Sequence, residues 1–167
     1  AHNTVTVAGE DQCEFWSVFR VGRRTAGRVL HWTTEAAGFS LVGTHEGFAH
    51  LDGAPRHERT VHARPGRLEI VDRVTGGVGQ LVRSGLLLHP DVQARVLADD
   101  RVELGLARRV IEVTLAGGVF RVVDAVWCPD FGVRRQTRRL LVEAGGAPCV
   151  TRLLMSWTVA SPTIRGA

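Results

Sequence analysis

Seven histidines are the residues most able to do chemistry in this sequence: His2, His31, His45, His50, His57, His62 and His89. A metal pair carried on one strand favours H-x-H, which places both rings on the same face. No such pair occurs. His45/His50 and His57/His62 are each five residues apart, on opposite faces of any regular strand. Taken singly, a His is more often a surface or hydrogen-bonded core residue than a ligand. The sequence carries no G-x-S-x-G, and Ser17, Ser40, Ser84, Ser156 and Ser161 lack a neighbouring acid–base motif. It has no phosphate-binding glycine loop, and no pair of carboxylates stands out as acid and base. Tyr is absent altogether, which removes one common general acid or base. The residues themselves describe a scaffold that contributes at most a few groups to any chemistry.

The scaffold must be built of strands. At 167 residues the chain fits one domain, and its 44% apolar content is that of an ordinary globular protein. All 21 cationic side chains are Arg, scattered along the chain, for a formal charge of +4. Such a surface tolerates anionic partners without specifying one, and it carries no basic–aromatic motif for nucleic acid. Cys13, Cys128 and Cys149 are widely spaced and odd in number, so they form no complete disulfide framework and no zinc ribbon. No apolar run approaches the ~18 residues of a membrane span.

Alternation of apolar and polar residues, not helical periodicity, predicts twelve strands: 4–8, 24–33, 39–43, 58–63, 68–74, 81–89, 92–97, 101–106, 110–116, 119–125, 137–143 and 150–157. Turn signals such as Pro65-Gly66, Gly117-Gly118 and Gly145-Gly146 separate them. The expected fold class is all-β: a two-layer antiparallel β-sandwich of many short strands and hairpins over residues 1–157, with 158–167 as a tail. Two hairpins have a definite expected register. Around Gly117-Gly118, Leu115 faces Phe120 and Val113 faces Val122, with Thr114 opposite Arg121 on the other face. Around Pro65-Gly66, Arg59 faces Asp72, Val61 faces Ile70 and Ala63 faces Leu68. Pro-Gly favours a type II turn, which matches strand twist poorly, so that loop is expected to exceed two residues.

Six stretches, in order and spanning nearly the whole chain, resemble the heparinase II/III-like polysaccharide lyases. They begin with AHNTVTVAGEDQCEFWSVFRVGRR (1–24), HEGFAHLDGAPRHERTV (45–61) and RLEIVDRVTG (67–76). LLLHPDV (86–92) and the two strands within VWCPDFGVRRQTRRLLV (126–142) complete the set. Ala8 and Cys13 stand where Asp and Ser are common in the family, and Phe48 stands where Tyr is expected. The resemblance implies a β-sandwich that follows an N-terminal α/α toroid and acts by β-elimination on a uronic-acid polysaccharide, heparan- or alginate-like. It also implies export to a bacterial periplasm or cell envelope. The family's proton-transfer Tyr and His come largely from the toroid and the segment before "AHN", so no catalytic residue is assigned to this chain. His2 is implied as a zinc ligand shared with His and Asp upstream, and Asn3 as its substrate-side neighbour. On this reading the chain, which carries His2-Asn3 just ahead of its first strand, is a piece of a longer enzyme.

A competing reading is a non-catalytic carbohydrate-binding or structural sandwich. Trp16, Trp32, Trp127 and Trp157 are its candidate sugar-stacking residues, at least two of them expected in the core.

Overall fold

The computed structural model describes residues 3–17, 20–107 and 109–158, and among these every regular element is a strand. In chain order they are β1 (Val5–Val7), β2 (Phe15–Ser17), β3 (Arg20–Val21), β4 (Arg28–Glu35), β5 (Gly38–His45), β6 (Arg56–Arg64) and β7 (Arg67–Thr75). They continue as β8 (Leu81–Leu87), β9 (Gln93–Ala98), β10 (Arg101–Leu106), β11 (Arg109–Ala116), β12 (Val119–Trp127), β13 (Arg135–Gly146) and β14 (Cys149–Ser156). A four-stranded sheet runs β1-β8-β13-β12, and an eight-stranded sheet runs β4-β5-β6-β7-β14-β11-β10-β9. β2 and β3 form a separate ribbon. All the ladders are antiparallel. No helix is long and apolar enough to cross a membrane among the described residues.

Alternation explains why the two sheets stack, since each strand turns one apolar face inward. One core cluster joins Phe120, Leu140 and Val142 of the small sheet to Val102, Leu104, Val113, Leu115 and Leu153 of the large one. A second gathers Val5, Val7 and Val82 against Val74, closed by Phe48 and Ala147 from loops. The sandwich expected from the alternation is the fold observed.

The two hairpins fare differently. β6 and β7 pair in the expected register, with Arg59 opposite Asp72, Val61 opposite Ile70 and Ala63 opposite Leu68. Their loop is only the two residues Pro65 and Gly66, shorter than expected, and Gly66 takes the positive φ of 75° that the second position of a type II turn requires. The Gly117-Gly118 hairpin does not form. β11 pairs with β10 and β14, whereas β12 pairs with β13, so the glycines carry the chain from one sheet to the other. Gly117 has φ +83°, and a Cβ on it would strike the Val150 carbonyl; a Cβ on Gly118 would lie 2.6 Å from the Glu143 carbonyl. Main-chain bonds from Leu115 N–H to the Asp100 carbonyl and from Phe120 N–H to the Asp99 carbonyl brace this corner. Val113, Leu115 and Phe120 are nonetheless buried, with Val122 packed on the same cluster. A corner and a hairpin both turn alternate residues inward, so burial was predictable where pairing was not.

Other boundaries shift modestly. The strand expected over 24–33 starts only at Arg28, and the β2–β3 ribbon was not anticipated. None of the four Trp is in the core: Trp16 and Trp32 are exposed, and Trp127 and Trp157 are half-buried. The three cysteines are free.

Phe120 is 1% exposed at the point where the sheets exchange the chain. Phe120→Ala is expected to cost about 3–5 kcal/mol, read as a lowered denaturant midpoint with unchanged slope.

Candidate functional site

Three neighbouring strands of the large sheet bring together side chains that are far apart in sequence. The β5–β6 ladder sets His45 opposite His57, and the β6–β7 ladder sets Arg59 opposite Asp72. The outcome is a line of hydrogen bonds. His45 Nε2 meets His57 Nδ1 at 3.0 Å, and His57 Nε2 meets Asp72 Oδ1 at 2.7 Å. Arg59 donates from Nε to Asp72 Oδ1 at 2.7 Å and from Nη2 to Oδ2 at 2.8 Å, a bidentate fork. His57 and Asp72 are buried, at 3% and 6% exposure. Thr44 is buried as well and donates its hydroxyl to the His57 carbonyl at 2.7 Å.

The partners fix where the protons are. Gly47 N–H donates to His45 Nδ1 at 3.2 Å, so that nitrogen keeps its lone pair and the imidazole proton sits on Nε2. His45 therefore donates to His57 Nδ1, and His57 donates from Nε2 to the Asp72 carboxylate. Both rings are neutral in this arrangement. A proton added to His45 would have to enter at Nδ1, against the Gly47 N–H. Burial, reinforced by the Arg59 charge, holds the His45 imidazole down to about 4. Burial alone would raise the Asp72 carboxyl, but the hydrogen bonds from His57 and Arg59 outweigh it and hold it below the usual carboxylate range. Cys149 feels the same environment, its thiol pushed up by burial and by the Asp72 charge.

Arg59 also reaches across the sandwich, donating from Nη1 to the main-chain carbonyl of Asn3. Asn3 in turn accepts from Leu87 N–H through its side-chain Oδ1 at 2.8 Å. The entry to β1 is thus pinned from the large sheet by Arg59 and from β8 by Leu87. Beside this seam lies an open groove of about 390 Å³, lined by Thr4, Val29, Leu41, His45, His57 and Val61 among others.

Of the residues expected at a site, His2 lies outside the described residues. Asn3 is exposed, with its carbonyls engaged as above. Among the described residues no three His, Cys, Asp or Glu side chains converge to hold a metal. His45, His57 and Asp72 do not fit one, because they are strung in line and bonded to each other. His31, His50 and His62 are exposed and stand apart from this line, while His89 packs edge-on to Trp127 with centroids 4.7 Å apart. Spacing along single strands missed the His45–His57–Asp72 line because its members meet only across strands. The signal available was the expected Arg59–Asp72 register, which sets His57 beside the same carboxylate.

An antiparallel β-sandwich with a polar line tying its two sheets is the class of domain this geometry defines. The chain belongs to the heparinase II/III-like family: the model described as "Heparinase II/III-like, C-terminal" matches residues 1–156. Among solved structures, it is similar to "Heparinase III-BT4657 gene product" (TM-score 0.73, 14% identity), covering 97% of this chain and 24% of that one. It is also similar to heparan sulfate lyase HepC from Pedobacter heparinus (TM-score 0.69, 14% identity), covering 96% of this chain and 25% of that one. The chain spans about a quarter of the length of these structures. No curated protein matches it.

The His45 shift has a signed consequence. Between pH 6.5 and about 4, the unfolded chain takes up a proton that folded His45 refuses, so stability falls as pH falls through that window and is full above it. The depressed Asp72 carboxyl adds a further loss only at lower pH, as its folded state titrates. Urea midpoints measured from pH 7 to 4 are expected to decline. His45→Gln should flatten the decline, and His31→Gln, on the exposed β4, should leave it unchanged.

Proposed function

We infer that this domain is the β-sandwich part of a polysaccharide lyase acting by β-elimination on a uronic-acid polysaccharide, heparan- or alginate-like. The observation that carries this reading is the family match over residues 1–156. In the reaction, a base takes the proton at C5 of the uronate while the bond from C4 to the glycosidic oxygen breaks. That oxygen leaves with a proton from an acid, and a C4–C5 double bond remains. The proton-transfer groups belong to an α/α toroid elsewhere in the parent protein. The locked tautomers of His45 and His57 suit them to holding Asp72 and, through its partner Arg59, the β1 entry, not to exchanging protons with substrate. His2, with His and Asp upstream, is a zinc ligand in this proposal, and Asn3 faces substrate. Export to a bacterial periplasm or envelope belongs to the same proposal. A second reading, a non-catalytic carbohydrate-binding module, draws support from the exposure of Trp16 and Trp32, at 67% and 55%.

The full-length protein should release product carrying the ultraviolet absorbance of the new double bond, and residues 1–167 alone should release none. Absorbance produced by the isolated chain would overturn the division of labour; a full-length protein inert on all uronates would favour the second reading. His2→Ala in the full-length protein should lower zinc content and turnover together. If both survive, His2 is an ordinary strand-entry residue.

A further inference from the structure

The outer face of the small sheet carries a feature that the polar line does not use. Along β13, Leu140 and Val142 point into the core, so Arg139, Leu141 and Glu143 point outward. These outward residues are only half-buried, because a groove of about 310 Å³ lies here with Phe15 of the β2–β3 ribbon in its wall. Its floor and sides are formed by Thr4, Thr6, Arg83, Gly85, Arg139 and Leu141, with Asp11 also in the lining.

Arg139 is the anomaly in this groove. Its cross-strand neighbours are Leu87 on β8 and Val123 on β12, neither of which can pair with a guanidinium. Its Nε is enclosed and has no hydrogen-bond partner, and no carboxylate lies within ion-pair distance among the described residues. The contrast with its neighbours is sharp. Arg138 pairs with Asp124 at 3.2 Å, and Arg83 pairs with Glu143 at 3.1 Å. Gly85 explains how the side chain lies: a Cβ there would come within 3.1 Å of Arg139 Cδ, so the missing side chain leaves a trench for the arginine stem. A half-buried guanidinium without an anion is costly, and the fork geometry favours a planar or tetrahedral oxyanion.

We propose that this groove binds an acidic saccharide, with Arg139 receiving its carboxylate or sulfate. The oxyanion takes the charge that no protein carboxylate meets. Phe15 and Leu141 offer apolar surface to the C–H face of a sugar ring. Asp11 accepts from ring hydroxyls, and the Thr6 hydroxyl is free to join them, since its one contact, to the Arg83 carbonyl, is long at 3.5 Å. Thr4 is already committed, donating to Gln12 Oε1 at 3.0 Å. The volume suits a small ligand, at the lower end of the roughly 300–1,000 Å³ of such sites. That the oxyanion is carried on a saccharide rests on the lyase reading above; the unpaired Arg139 does not.

The test is binding to the full chain, followed by the resonance of Arg139 Nε–H. The probes are glucuronate, a sulfated uronate disaccharide, glucose and inorganic sulfate. Glucuronate and the disaccharide should shift the Arg139 signal, and glucose should not. Arg139→Gln should weaken the acidic sugars at least tenfold with no fall in thermal midpoint, whereas Arg135→Gln on the far end of β13 should retain them. Gly85→Val, which fills the trench, should also abolish binding. Equal affinity in Arg139→Gln, equal affinity for glucose, or no binding by any probe would overturn the site. Inorganic sulfate binding as tightly as the disaccharide would overturn the saccharide assignment. Turnover measured on the same protein separates the two readings. Binding through Arg139 without lyase activity leaves the groove and removes the lyase, and activity with no response at Arg139 does the reverse.

Discussion

Asp72 is a carboxylate placed where a sandwich would ordinarily put an apolar side chain, and the surrounding structure is arranged around keeping it charged. An unpaired ion in that position would cost several kcal/mol in lost hydration. Both oxygens are met instead, by the Arg59 fork and by His57. Each donor is positioned by a ladder: β6 against β7 places Arg59, and β5 against β6 places His45 behind His57. Slipping β6 by one residue would turn His57 and Arg59 to the opposite face and leave the carboxylate bare. The ion therefore specifies register more than it adds stability. Its effect also crosses the sandwich, since the guanidinium that satisfies Asp72 has one nitrogen left, which it gives to the Asn3 carbonyl.

That last bond matters because the two sheets are of unequal width. The small sheet ends at β1, while the large one continues through β5 to β4. β5 is half-buried along most of its length, and β4 is exposed along its whole length. β1 is only three residues long, and an edge strand that short holds few ladder bonds. Arg59 and Leu87 add anchors on either side of its first residues. Val5 and Val7, both fully buried, fix its inner face. The N-terminal strand is thus set by two kinds of force at once, apolar burial beneath and charge-assisted hydrogen bonding at its start.

Local information was legible in the sequence and assembly was not. Pro65-Gly66 marks the place of its turn, though not its length, and the alternation on either side leaves one sensible register, so Arg59 opposite Asp72 could be read directly. Gly117-Gly118 carries the same kind of turn signal. There the glycines are needed for close passage of the chain beside Val150 and Glu143, which depends on where β13 and β14 lie. His45 and His57 looked unrelated because spacing along a strand tests neighbours on one strand only. They become partners once β5 and β6 pair. The short β2 and β3 were missed for another reason: their residues are mostly exposed, so they carry no alternation to detect.

Arg59 and Arg139 show how one residue type acquires two fates from its cross-strand neighbours. Both side chains are half-buried on sheet faces, and both present the same planar fork. Arg59 has a carboxylate directly opposite, so its charge is spent within the fold, and it becomes rigid. Arg139 has Leu87 and Val123 opposite, with a glycine one strand over that lets its stem lie flat. Its charge is left over. In a chain whose cations are all arginine, composition cannot separate the two, and neither can distance from a motif. The register does, because it decides which guanidinium meets an anion supplied by the protein and which must find one in solution.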